Sequence, residues 1–311
     1  MDWYWIVILV LATLLLVALG VGLAFFLYLC LPQRGSSASL EGDEGRALYP
    51  HVPFIKEKAK QNAKYRHELV TCSAFDGIML RAKLYPNVKS DRVLLLVHGF
   101  HSSISWDFGA SFEWYHNAGY TILALDDRAH GSEGRFIGFG ALDQKDVFSW
   151  MNWTVDRFGT DIKIAVIGVS MGAATVMLTT GNHPIPQLCC AVEDCGYTNL
   201  ADVIRHVMRK NHYPNIPVIP LASLWSKILA GYSFSETDAE AAVSKSHVPT
   251  LFIHGTADGF VPFPLMERVY TACSAPKEKA VFEGAVHGES SYLEPERYRK
   301  TVLSFLDKYM N

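Results

Sequence analysis

Lys163-Ile164-Ala165-Val166-Ile167-Gly168-Val169-Ser170-Met171-Gly172-Ala173-Ala174-Thr175-Val176-Met177-Leu178 is the stretch that decides the fold. Its first half is a short apolar, β-branched run that reads as a buried strand, and the residues after Ser170 read as a helix. A serine between two glycines at such a join holds its hydroxyl on a tight, strained turn, and the helix N-terminus beneath it favours developing negative charge. The same pattern also occurs as an ordinary glycine turn, so its meaning depends on what else the chain supplies. A serine hydroxyl needs a base to become a nucleophile, and the base needs a third group to hold its tautomer.

Downstream residues supply both. Val248 to Gly255 reads as a buried strand ending in the loop Thr256-Ala257-Asp258-Gly259-Phe260-Val261-Pro262, which puts Asp258 where an orienting carboxylate belongs. A further strand at Ala280-Val281-Phe282 leads into Glu283-Gly284-Ala285-Val286-His287-Gly288, so His287 lies on the loop before the last helix, within reach of Ser170. Upstream, the apolar strand Arg92 to Val97 ends in His98-Gly99-Phe100-His101-Ser102-Ser103. Such a loop aims a backbone N–H at a substrate oxygen, and Phe100 and Met171 are the expected donor pair of an oxyanion hole. His98 reads as a residue that shapes this loop rather than one that carries protons.

These pieces carry a family resemblance. HGF at 98–100, DDRAHGSEG at 126–134, GVSMG at 168–172, HGTADGFVP at 254–262 and VHG at 286–288 make the chain from about Glu68 to Tyr309 resemble an α/β-hydrolase. The similarity is to bacterial serine hydrolases near the cinnamoyl esterase, monoglyceride lipase and serine aminopeptidase branches. Asp127 departs from that pattern, standing where those relatives often carry glutamine or tyrosine. The resemblance implies Ser170, Asp258 and His287 as catalytic residues, and it implies no cofactor.

With 311 residues, 50% of them hydrophobic, the chain can bury one large core, and a net charge of −3 gives no case for a nucleic-acid partner. Cys30, Cys72, Cys189, Cys190, Cys195 and Cys273 show neither C-x-x-C pairs nor zinc-ligand spacing, so no metal and no disulfide framework is expected, and the cysteines read as small core hydrophobes. Asp143 and Asp146 read as a helix start and its exposed face.

Residues Trp3 to Leu31 carry no charged side chain, enough for a helix to cross a hydrocarbon core of about 30 Å. Ser36-Ser37-Ala38 has the form of a signal-peptidase site, but the apolar run is longer than a signal's core and no Lys or Arg precedes it, so the segment reads as an uncleaved anchor at the cell membrane. Cys30, preceded by Leu29, fits a lipoprotein signal poorly and reads as a membrane-facing thiol. The basic flank, Arg34 and then Lys56, Lys58 and Lys60, keeps the enzyme cytoplasmic under the positive-inside rule, whereas the resemblance to exported relatives points the other way.

The organisation that follows is an anchor at 1–31, a tether and lead-in at 32–67, and a hydrolase domain at 68–311. Pro32 to Gly45, rich in Ser, Gly and Glu, reads as the tether, and Phe54 to Arg66 as a charged, helix-like lead-in. Beyond it, strands are expected near 68–74, 78–85, 92–97, 120–125, 163–167, 189–193, 250–254 and 279–283, with helices near 108–118, 141–158, 171–182, 262–273 and 294–309. This is an α/β class chain, an eight-stranded, mostly parallel sheet covered on both faces by helices.

The interval from about 196 to 247 is too long for a simple connection, and its helix-like runs near 198–211 and 221–230 read as a cap that roofs an acyl pocket. Arg205, His206, Arg209, Lys210 and His212 read as a solvated helix face, with attraction of an anionic substrate or lipid head group as the competing reading. Trp225 and Tyr232 read as cap core. The expected activity is hydrolysis of a small-molecule or lipid-like ester, with an amidase or aminopeptidase, an acyltransferase and a catalytically silent membrane module as alternatives.

Overall fold

Eight strands form one sheet in the computed structural model, which describes residues 2–32, 48–87, 90–213 and 217–311. They are β1 (Glu68–Ser73), β2 (Met79–Tyr85), β3 (Arg92–Val97), β4 (Thr121–Asp126), β5 (Lys163–Val169), β6 (Leu188–Asp194), β7 (Thr250–Gly255) and β8 (Lys277–Phe282). The order across the sheet is β1-β2-β4-β3-β5-β6-β7-β8. β1 and β2 form the expected hairpin around Phe75-Asp76-Gly77, β2 runs antiparallel to β4, and every other pair is parallel.

The helices are α1 (Trp3–Cys30), α2 (Val52–Asn62), α3 (Ile104–Asp107), α4 (Phe112–Asn117), α5 (Asp143–Phe158), α6 (Met171–Asn182), α7 (Leu200–Lys210), α8 (Val218–Ala230), α9 (Ala239–Val243), α10 (Phe263–Ala272), α11 (Ser290–Leu293) and α12 (Pro295–Met310). The helix expected near 108–118 is the shorter α4, and a separate one-turn helix, α3, precedes that span. From residue 33 onward the tether lies outside the described residues, as do 214–216 between α7 and α8.

Strand alternation sorts the core into two layers. Leu94, Leu96, Ile122, Ala165 and Ile167 point to one side and meet Tyr298, Val302 and Phe305 of α12 and Tyr115 of α4. Val93, Leu95, Val97, Leu123 and Val166 point to the other and meet Val147, Trp150 and Met151 of α5 and Val176 of α6. Burial on both faces explains why β3 and β5 read as continuous apolar runs rather than alternating ones.

The chain steps from β3 sideways to β4 and then returns to β5 on the other side of β3. The crevice at the carboxyl ends of β3 and β5 is therefore the switch point where such sheets hold their ligands. Val97 pairs in register with Gly168, so the loops that follow the two strands emerge side by side.

α7 and α8 stand over that crevice as the cap. α9, at the end of the same interval, belongs to the core instead: Ala239, Ala242 and Val243 pack against Met177, Leu178, Phe252 and Met266.

Two side chains depart from the sequence reading. Asp146 is not on an exposed face of α5; it is buried, and its two oxygens take Nε–H and Nη2–H of Arg128, each at 2.6 Å. Asp143 does open α5, its Oδ2 accepting the Gly140 N–H at 2.7 Å. Cys30 is not membrane-facing: it is fully buried with Phe26 among Phe136, Ile137 and Tyr232, and the Ile137 N–H donates to the Cys30 carbonyl at 2.8 Å. A helix with no charged residue between Trp3 and Cys30 gives no hint of which side chains a protein surface will claim.

Candidate active site

Ser170 sits at the tip of the turn between β5 and α6 with φ 57° and ψ −114°, a backbone conformation that costs a non-glycine residue about 1–3 kcal/mol and persists only where its surroundings hold it. The flanking glycines are what let the turn close. A Cβ at Gly168 would lie 2.2 Å from the Gly172 carbonyl oxygen, and one at Gly172 would lie 2.1 Å from the Val97 carbonyl oxygen. The Ser170 N–H is tied to the Asp194 carbonyl at 2.8 Å, which fixes the turn to β6.

Asp258 and His287 come to this serine from the loops after β7 and β8. His287 Nε2 lies 2.8 Å from Ser170 Oγ, and His287 Nδ1 lies 2.7 Å from Asp258 Oδ2. Asp258 Oδ1 accepts the N–H groups of Phe260 at 2.9 Å and Val261 at 2.8 Å, and His254 Nε2 stands 3.3 Å from Oδ2 while donating to the Val261 carbonyl at 2.8 Å. Burial alone would raise this carboxyl, but His287 and His254 outweigh it and hold Asp258 well below the usual carboxylate range. An ionised Asp258 makes Nδ1 of His287 the donor, which leaves Nε2 with a lone pair facing the Ser170 hydroxyl. Phe260 packs its edge against the His287 ring at 5.1 Å between centroids.

The loop after β3 lies on the far side of Ser170. Asp107, the last residue of α3, pins it: Oδ2 accepts the Gly99 N–H and Oδ1 the Ser102 hydroxyl, both at 2.6 Å. His130 Nε2 accepts the His101 N–H at 3.0 Å. His98 shapes the loop as expected, since its Nε2 accepts the Asp127 N–H at 3.3 Å, which makes Nδ1 the donor to the Gly99 carbonyl at 2.9 Å. Asp127 itself is buried, and burial pushes its carboxyl up to about 8. The N–H groups of Phe100 and Met171 make no hydrogen bond among the described residues.

Above Ser170 is a cavity of about 840 Å³, within the usual range of small-molecule sites. Phe100, Met171, Phe139 and Tyr197 form its floor, Leu200 and Ile204 of α7 one wall, and the C-terminal part of α1 another. The cap basic cluster is largely engaged elsewhere. Arg205 pairs with Asp202 at 2.8 Å, while Lys210 and His206 meet the Gly259 carbonyl at 2.9 and 3.2 Å, tying α7 to the Asp258 loop. Tyr232 is fully buried and donates to the Ile137 carbonyl at 2.7 Å, and Trp225 Nε1 donates to the Leu19 carbonyl of α1 at 2.9 Å.

Cys195, by sequence a core hydrophobe, places its Sγ 4.0 Å from His287 Nε2. Burial, with Asp194 and Asp258 nearby, drives that thiol well above its ordinary pKa, so it is a neutral neighbour. Ligand atoms of Cys195, Asp258 and His287 lie within 4.8 Å of one another. An ion held by all three would occupy one ring nitrogen of His287 and so displace either Ser170 from Nε2 or Asp258 from Nδ1. Asp107, His130 and His254 were also missed as supports of the site; of these only His254 and His130 fall inside quoted motifs.

The sheet order, the strained serine turn and the cap define an α/β-hydrolase, and the chain has that fold. A family model described as serine aminopeptidase S33 matches residues 88–195, a span that includes Phe100, Ser170 and Met171. The chain is 29% identical over 191 residues to the uncharacterized protein YqkD of Bacillus subtilis, covering 61% of this chain and 63% of that relative. It is 28% identical over 193 residues to the uncharacterized protein Rv2307c of Mycobacterium tuberculosis, covering 61% of each. The chain thus spans just over three fifths of the length of these relatives. Among solved structures, the Pyrococcus furiosus esterase Pf2001 superposes with a TM-score of 0.67 at 23% identity, over 81% of this chain and 94% of that one.

Proposed function

We propose that this protein is a membrane-anchored serine hydrolase that cleaves carboxylic esters through an acyl-enzyme. The observation that carries the reading is the unbroken hydrogen-bond series Ser170–His287–Asp258 at 2.8 and 2.7 Å, opening onto an apolar cavity. Ser170 Oγ attacks the ester carbonyl carbon while His287 Nε2 takes its proton, and Asp258 stabilises the imidazolium. The tetrahedral oxyanion takes the Phe100 and Met171 N–H groups, preorganised donors of a kind worth about 100-fold or more in rate each. His287 returns the proton to the departing alcohol. Water then gives its proton to His287 and attacks the acyl carbon, releasing the acid and restoring Ser170.

The anchor rests on α1, a 28-residue helix long and apolar enough to cross a membrane. Packing of Phe26 and Cys30 into the cap-side core supports its retention, since cleavage near Ser36 to Ala38 would strip both from Phe136 and Tyr232.

The family match favours a second reading, cleavage of aminoacyl amides by the same residues. Against it, the described residues lining the cavity include no Asp or Glu to receive an ammonium group. A turnover screen across acyl-chain length, hydroxycinnamoyl esters, monoacylglycerols and aminoacyl nitroanilides, with Ser170→Ala as the blank, separates the two. Esters faster than nitroanilides support the first reading, and the reverse order supports the second.

A further inference from the structure

α1 is more than a tether, because one of its faces is part of the cavity. Val21, Ala24, Phe25, Tyr28 and Leu29 line the space above Ser170. They recur at i, i+3, i+4, i+7 and i+8, the single stripe that a helix presents to one side. A neighbouring stripe, Gly22, Phe26 and Cys30, is the seam that fastens the helix to the domain. At Gly22 the fit is so close that a Cβ would lie 2.5 Å from the Leu221 Cβ on α8. Trp225 fixes the same crossing through the Leu19 carbonyl at 2.9 Å.

Length places this crossing at the edge of the bilayer. A hydrocarbon core of about 30 Å takes about 20 helical residues, which from Trp3 reaches Gly22. Trp3 to Val17 are all exposed, as expected of side chains that meet lipid, and burial begins only at Ala18. The cavity stripe therefore begins where the hydrocarbon ends. Beside it, α8 leaves Leu224, Ile228 and Leu229 exposed at 47, 60 and 41%, an apolar surface next to the emerging helix. A continuous apolar path runs from the lipid-facing part of α1, along Val21, Ala24 and Phe25, to Ser170.

We infer that the anchor helix is a wall of the acyl-binding site, and that the substrate is a long-chain acyl ester of a membrane amphiphile, drawn from the bilayer along α1. This rests on the serine-hydrolase reading of the same site. Fixing the chain of such a substrate on the helix that already stands in the lipid lets it reach Ser170 while its apolar surface stays out of water. It also makes α1 a determinant of chain length rather than only of address.

The test uses the full chain in phosphatidylcholine nanodiscs and reads the ratio of kcat/KM for p-nitrophenyl palmitate to that for p-nitrophenyl acetate. Ala24→Trp fills the stripe and is expected to lower the ratio by about tenfold or more, the scale on which apolar pockets discriminate. Leu14→Trp, on the exposed part of the same helix, leaves the ratio at the wild-type value. A ratio unmoved by Ala24→Trp, or moved as far by Leu14→Trp, overturns the inference. If Ala24→Trp fails to take a short-chain fluorophosphonate, the protein is misassembled and Val21→Phe, a smaller intrusion into the same wall, decides by the same criterion. Acetate turnover that survives Ser170→Ala sinks the serine reading instead, whereas loss of that turnover with an unmoved ratio sinks only the role given to α1.

Discussion

Leu221 of the cap lies against Gly22 of the N-terminal helix with no room for a side chain between them, whereas Gly20, two residues away, has nothing within 4 Å of where its Cβ would stand. The pair makes a clean comparison. Gly22→Leu forces α1 and α8 apart and is expected to cost about 1–3 kcal/mol as overpacking. Gly20→Leu points into open space and leaves the melting temperature within about 1 °C, since each kcal/mol moves a domain of this size by roughly 2–4 °C. Thermal unfolding in detergent, followed by tryptophan fluorescence, reads the difference.

Asp107 holds the loop after β3, which carries the proposed Phe100 donor, through the Gly99 N–H and the Ser102 hydroxyl. Removing its carboxylate frees the Gly99 N–H and the Ser102 hydroxyl together. Asp107→Ala is expected to lower kcat by about 100-fold through misplacement of the Phe100 N–H, with KM changed by no more than about threefold. A matched rise in KM with kcat preserved would make Asp107 a residue of the pocket shape instead.

The Arg128–Asp146 pair is buried, so losing one partner is costly. Arg128→Met leaves Asp146 without its two 2.6 Å donors and is expected to destabilise by about 3–5 kcal/mol. Adding Asp146→Leu removes the orphaned carboxylate and is expected to restore most of that loss. Denaturant midpoints of the two variants and the wild type check both steps.

Glu193 gives the fold a pH dependence. It is fully buried on β6, its Oε2 accepts the Gly196 N–H at 2.9 Å, and burial raises its carboxyl from 4.5 to about 8. Between those values the folded chain holds a proton that the unfolded chain has released. Its contribution is therefore complete below the unfolded pKa and is lost as pH rises through about 8. Glu193→Gln cannot titrate and is expected to flatten the fall in melting temperature between about pH 5 and pH 8.5. An unchanged slope would place the titration elsewhere.

How far the sequence foretold the molecule depends on the kind of signal. Ser170, Asp258 and His287 were legible because each sits just after an apolar run, flanked by residues that mark a turn, and strand ends fix position in space as well as in sequence. β3 and α6 have the bounds expected of them for the same reason. Asp107 was not legible, because nothing in a carboxylate eight residues after Gly99 says that a short helix will fold it back onto that loop. Asp146 misled because its partner Arg128 lies outside α5, on the loop after β4, and a charge at helical spacing reads as exposed until the partner is placed. α1 hid its two stripes most completely: a helix of such uniformly apolar sequence carries little contrast between the face left exposed, the face that meets Leu221 and the face that lines the cavity.

The reactivity of Ser170 is the claim on which the rest stands. Treating the full chain with an alkyl fluorophosphonate and mapping the adduct by peptide mass spectrometry tests it directly. One adduct is expected, on the peptide carrying Ser170, that disappears in Ser170→Ala and forms at least about 100-fold more slowly in His287→Ala, where the base is gone. An adduct that persists in Ser170→Ala, or a wild-type chain that takes none, would contradict it.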